Sequence, residues 1–229
     1  MKKRVRLPRP PARVTSRAAR KRETRERILK SAGQLARKEG LAAASVPRVM
    51  SGAGLTVGGF YAHFPSKQAM DAELVRALLG ALSGDGLAGP PGAFGLEWIR
   101  RAVDRYLAGA HRDKLDGCAY PAVISEIARA APEVRRAFSE VFELRVGAVA
   151  IHAPKVARIS ARERAIATLA VTLGGLLLAR GTKGQPVSDE ILVACRKWAL
   201  PELDAKPASG SSARKSSRAA TAVLQRAAD

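Results

Sequence analysis

Residues Ala53-Gly54-Leu55-Thr56-Val57-Gly58-Gly59-Phe60-Tyr61-Ala62-His63-Phe64-Pro65-Ser66-Lys67 decide how this chain folds. Gly52 and Gly54 interrupt a short helix and supply a tight turn. Thr56 is a good N-cap for a second short helix, which ends near His63 or Phe64. Pro65 stops it, and Ser66 caps the next helix, expected from Lys67 to about Leu82. Leu55, Phe60 and Phe64 are apolar anchors for a small core, which leaves Thr56, Val57, Gly58, Tyr61 and His63 for an exposed face.

Upstream, Ile28, Ala32, Leu35 and Ala36 recur at helical spacing between Thr24 and Glu39, and Glu26 stands four residues before Lys30. Gly40 is a plausible C-terminal cap. Ser45 then caps a short helix with Val46, Val49 and Met50 facing inward. One long and two very short capped helices in this order predict a helix-turn-helix.

Downstream, residues 83–95 are rich in glycine and proline and read as a loop. Helices are expected at about 96–112, 121–130, 132–151, 160–180 and 188–200. Ser160 and Glu163 have capping-box spacing at the start of one of them. No alternating strand pattern and no internal repeat occurs, so the fold class is all-α. The expected division is a disordered basic arm over 1–20 and a DNA-binding domain over 21–68. A larger helical domain follows over 69–203, then a disordered basic tail over 204–229. A weak helix is expected within that tail, from Ala219 to Ala228.

Charge points to the partner. The 229 residues carry a formal net charge of +20, and ten lysines and arginines precede the first acidic residue, Glu23. Such a field attracts polyanions, chiefly nucleic acid or anionic lipid. The arm is either a solvated tail or a strand along the minor groove. Only Cys118 and Cys195 are present, so no disulfide framework is implied and a reducing, cytoplasmic setting fits. The longest apolar stretch, Ala165 to Ala179, falls short of a membrane span and contains Thr168 and Thr172.

Thr24-Arg25-Glu26-Arg27-Ile28-Leu29 and the stretch from Ala53 to Lys67 resemble the N-terminal signature of the TetR family of transcriptional regulators. The resemblance covers about residues 24–75. It implies an N-terminal three-helix helix-turn-helix domain and a C-terminal helical domain that binds an effector and dimerises. It also implies that the helix from Thr56 to His63 enters the major groove of double-stranded DNA. Thr56, Tyr61, His63 and Lys67 would meet phosphates, while Val57 and Gly58 sit where the family reads bases. Arg48 would add a base or phosphate contact. Dimerisation through the helices at about 160–180 and 188–200 would give a homodimer on a palindromic operator.

The sensing domain is less legible. The 160–180 helix is apolar nearly all round, through Ile166, Leu169, Ala170, Leu173, Leu176 and Leu177 with Gly174 and Gly175, so it is buried or part of an interface. Gly117-Cys118 resembles a subgroup with electrophile- and oxidant-responsive members. Cys118 is therefore either a reactive sensor or an inert core thiol. Trp98, Tyr106, Tyr120, Phe138 and Phe142 either line an effector pocket or fill the core.

Other chemistries find no support. Residues 84–89 match a dinucleotide glycine string, but a helix precedes it and Pro90-Pro91 follow. His63, His111 and His152 lack metal-ligand spacing, and no catalytic constellation, cofactor motif or metal site is expected. The sequence thus points to a dimeric repressor released by a small-molecule or electrophile signal. An activator or a broadly binding nucleoid-type protein is the alternative.

Overall fold

Ser16 accepts a hydrogen bond from Ala19 N and so opens the first helix, within the stretch expected as basic arm. The computed structural model describes residues 16–80, 89–114, 118–154 and 158–200. The outer arm, the glycine string at 84–88, Gly117 and the tail with its expected helix lie outside the described residues.

Helix α1 (Arg17–Glu39) buries Ile28, Ala32 and Ala36 along one face and ends at Gly40, whose φ of 93° suits a residue without a side chain. Helix α2 (Val46–Gly52) has Pro47 in its first turn. It packs so closely on α1 that Ser31 Oγ donates to Val49 O at 2.9 Å. Gly54 has a φ of 66°, which the tight turn requires. The expected recognition helix is a 3-10 helix over Val57–Ala62. Gly58 and Gly59 are the physical reason: two glycines in six residues weaken α-helical propagation, and the segment stays too short to recover it.

Helix α3 (Lys67–Leu79) is capped by Ser66, which accepts from Ala69 N at 3.0 Å. It ends at Leu79 rather than Leu82. Its two apolar sides join the head to the C-terminal helices: Met70 and Leu74 lie in the same core that continues through Val75, Leu78 and Leu79, and α3 packs on both α1 and α7. The helix expected at 96–112 is divided into α4 (Gly95–Tyr106) and α5 (Gly109–Asp113), because Ala108 is extended, with a ψ of 146°. Helices α6 (Ala119–Ile127), α7 (Pro132–Ala150), α8 (Ala161–Gly181) and α9 (Pro186–Ala199) complete an all-α fold. Both halves of the capping box at Ser160 and Glu163 are formed.

Helix α8 is less uniform than its sequence. Ala165, Leu169, Leu173 and Leu176 are buried, whereas Ile166, Leu177 and Leu178 are exposed. At 21 residues it is long and apolar enough to cross a membrane by length and composition, contrary to the shorter stretch read from the sequence. The charged groups near its start had cut that reading short. Nearly half of its apolar window is buried within the chain, and α9 is its main neighbour.

A second device holds the start of α4. His152 is buried and stacks on Trp98, with centroids 4.3 Å apart and planes 10° from parallel. Its Nδ1 accepts from Gly95 N at 3.2 Å, which requires an unprotonated nitrogen. Burial pushes the imidazole below its ordinary pKa. The unfolded chain therefore binds a proton first as pH falls. The stabilisation is complete above about pH 6.5 and is lost as pH falls through the folded value. Urea midpoints measured from pH 8 to pH 5 should decline more steeply for the wild type than for His152→Gln. Parallel curves would contradict this.

Candidate nucleic-acid interface

The recognition segment is held from below by aromatic packing. Phe60 and Phe64 are fully buried, with centroids 5.6 Å apart and planes 24° from parallel. This fixes the register of the residues between them. Thr56, Val57, Gly58 and Tyr61 consequently face outward, with Tyr61 69% exposed and edge-on to Phe60. A Cβ placed on Gly58 would meet nothing, so the surface there is open.

Arg25 on α1 secures the end of the segment. Its guanidinium donates to the His63 carbonyl and to Glu73 on α3, and lies 4.1 Å from the centre of the Phe64 ring. Arg27 donates to Ala53 O at 2.5 Å and steadies the preceding turn. Neither role was visible in the sequence, because the partners stand far away along the chain.

His63 is half-buried, and its Nδ1 has no hydrogen-bond partner among the described residues. Burial lowers its pKa, helped by the charges of Lys21 and Arg25. It is therefore a neutral imidazole near pH 7. Lys67, expected at the phosphate backbone, is tied at 2.5 Å to Asp71 one turn further along α3. Asp71 is buried, with Oδ1 unpartnered among the described residues. Burial raises its pKa, against the opposing pull of Lys67. Arg48 is exposed and paired with Glu39 at 2.9 Å. The Thr56, Val57, Gly58 and Tyr61 set thus forms one open surface, while Lys67 and Arg48 each already hold a carboxylate.

The residues expected at an effector site do not converge. Tyr120 and Phe138 line a cavity of about 340 Å³ with Ile124, Phe142, Leu173 and Leu177. Its walls come from α6, α7 and α8 and carry no charged side chain. Trp98 lies elsewhere, stacked on His152, which also meets Phe94 edge-on, and close against Gly89. Tyr106 is fully buried, its hydroxyl 3.1 Å from Cys118 Sγ. Cys118 stands at the N-cap of α6 and is itself fully enclosed. A dissolved electrophile meets no exposed thiol at this position. No cluster of metal-binding side chains occurs among the described residues.

Residues 28–74 match the family model of the bacterial regulatory proteins of the tetR family. No curated protein matches the chain. Solved structures share its fold. A transcriptional regulator from Rhodococcus sp. Rha1 is 22% identical, with a TM-score of 0.59 over 80% of this chain and 99% of that one. The reduced form of Escherichia coli NemR is 18% identical, with a TM-score of 0.60 over 76% and 95%. A TetR-family regulator from Cytophaga hutchinsonii is 16% identical, with a TM-score of 0.63 over 82% and 98%. The matched segment comprises the second half of α1, α2, the recognition segment and the first eight residues of α3, so the head of this chain is similar to the DNA-binding segment that the tetR family model describes, and the whole chain shares the fold of these regulators.

Proposed function

We propose that this DNA-binding regulator acts as a homodimeric repressor on a palindromic operator in the cytoplasm, and that a small molecule releases it. The observation that carries the reading is the outward row of Thr56, Val57, Gly58 and Tyr61 on a segment anchored by two buried rings. Hydroxyl groups of Thr56 and Tyr61 suit phosphate oxygens, and the Val57 methyls suit a thymine methyl. The neutral His63 donates one ring N–H without needing a proton from solvent.

Dimerisation is supported by exposed apolar groups on the two last helices. Leu177, Leu178, Val193 and Trp198 face outward, with Trp198 77% exposed. A set of large apolar side chains at one helix pair is the mark of an interface. The apolar lining beside Tyr120 and Phe138, open to solvent at Leu177, supports a largely apolar effector. An engineered apolar cavity of about 150 Å³ takes benzene, so the larger space here suits a molecule of about two rings.

The test begins with duplexes selected from a random-sequence pool, followed by titration at several salt concentrations. A few palindromic winners and a linear fall of log K with log salt are expected. Broad, sequence-blind binding would favour the nucleoid-type reading, and no binding would sink both. Asp71→Asn should release the Lys67 ammonium for a phosphate. The expected result is tighter binding and a salt slope steeper by about 0.9. An unchanged slope would remove Lys67 from the contact set.

A further inference from the structure

Asp71 is the only buried carboxylate among the described residues, at 7% exposure. Its Oδ2 takes the Lys67 ammonium at 2.5 Å, and its Oδ1 meets no hydrogen-bond partner among the described residues. Lys67 is half-buried and opens α3, directly after the Ser66 cap. A cation there faces the positive end of the helix dipole, so its place rests on Asp71 or on an anion brought from outside.

The helices packed on α3 are α1, α6 and α7. From α6 comes the Glu126 carboxylate, which accepts from Leu41 N at 2.8 Å and from Ala42 N at 2.7 Å, and whose negative charge reaches Asp71. On α1, Arg25 is taken by Glu73 and by the His63 carbonyl. On α7, Glu140 accepts from Arg76, and Arg145 donates to Leu79 O and to the Tyr120 hydroxyl, all further along α3 than Asp71. Among the described residues, Lys67 is thus the one cation whose charge acts on Asp71. Burial pushes the Asp71 carboxyl above its ordinary range, the Lys67 ammonium opposes this, and Glu126 adds to it.

We propose that duplex binding loads a proton onto Asp71: a phosphate takes the Lys67 ammonium, the abandoned Oδ2 takes H+ from solvent, and affinity for the duplex consequently falls as pH rises. The proton uptake rests on the regulator reading above, because it begins only when a phosphate arrives. One ion pair, Lys67 with Asp71, gives way to another, Lys67 with phosphate, and the solvent proton makes the carboxyl neutral. Without that proton a bare carboxylate would stay enclosed near Glu126, a far more costly arrangement than a neutral acid. Asp71 therefore stands in for a phosphate in the free protein and yields to one in the complex. Below the carboxyl's value in the free protein the proton is already in place, and above its value in the complex neither form holds it. Between the two, log K should fall by up to about one per pH unit.

Wild type, Asp71→Asn, Lys67→Gln and His63→Gln are titrated with the selected palindromic duplex by fluorescence anisotropy from pH 8 to pH 5, at several salt concentrations. Calorimetry in pairs of buffers with different ionisation enthalpies counts the protons taken up, and circular dichroism at each pH confirms that the samples are folded. The wild type should bind more tightly as pH falls, take up as much as one proton, and steepen its salt slope by about 0.9. Asp71→Asn has the same shape without the charge. It should lose most of the uptake and show the tight binding and the steep slope at every pH. Lys67→Gln should also lose the uptake, while its salt slope stays at the shallow, high-pH value of the wild type. His63→Gln should weaken binding yet keep the uptake, which separates Asp71 from the imidazole beside Lys21 and Arg25. Equal pH dependence in the wild type and Asp71→Asn would overturn the proposal. So would a wild type that binds without taking up a proton, the result if one ammonium serves Asp71 and phosphate together. Failure of the wild type to bind any selected duplex at any pH would instead strike the regulator reading, and is told apart by that sample alone.

Discussion

Phe60→Ala should destabilise the protein by about 3–5 kcal/mol and abolish duplex binding at ordinary concentrations. Phe60 is fully buried, stacks on Phe64 and meets Tyr61 edge-on. Truncation removes the transfer free energy of the ring and leaves a cavity beneath the recognition segment. A 3-10 helix of six residues has little stability of its own, so its shape is imposed by that ring. Denaturant titration gives the stability loss, and anisotropy with the selected duplex gives the binding loss. The opposite pattern, a stable variant that binds like the wild type, would show that Phe60 does not hold the segment in place.

The second large effect is expected on α9, the last described helix. Trp198→Ala should weaken self-association by about 2 kcal/mol or more, roughly 30-fold in the dimer dissociation constant. Trp198 is the most exposed of the large apolar side chains among the described residues, and Val193 and Lys197 stand beside it. Truncating a large aromatic at the centre of an interface removes a major share of the association energy. Sedimentation velocity over a concentration series measures it. Duplex binding should fall with dimerisation, since each half-site alone offers few contacts. A variant that stays dimeric to the same dilution would place the interface elsewhere.

Periodicity carried much of the fold. The spacing of Ile28, Ala32 and Ala36 names the buried face of α1, and Ser66 and Ser160 mark helix starts where the caps are formed. Local signals fail where a distant group decides. The ends of α1 and of the recognition segment are fixed by Arg25 and Glu126, whose partners are separated by 38 and by 84–85 positions. No window of sequence contains both members of such a pair. Lys67 and Asp71 are a different case. Their spacing of four residues on a helix is legible as an ion pair, whereas a phosphate contact for Lys67 comes only from the family resemblance.

The five sensor candidates show a third limit. Trp98, Tyr106, Cys118, Tyr120 and Phe138 are close in composition but lie in three separate environments. Helix crossing directions determine which side chains meet, and periodicity along one helix says nothing of how it crosses the next. The apolar circumference of α8 likewise gave no clue to which side is covered by its own subunit and which by solvent. The division appears only once α9 is seen packed along it.

The gap that Gly58 leaves in Val57–Ala62 has a consequence for how the proposed targets would be told apart. A 3-10 helix rises about 2.0 Å per residue, so the segment is more slender than an α-helix of equal length. Where Gly58 stands it projects no atoms beyond the backbone. A thin probe of this kind rewards duplexes whose own stiffness and groove width already fit it. On the palindromic operator proposed above, discrimination would then fall on flexible pyrimidine–purine steps and narrow A-tracts between the half-sites, at positions the protein never touches.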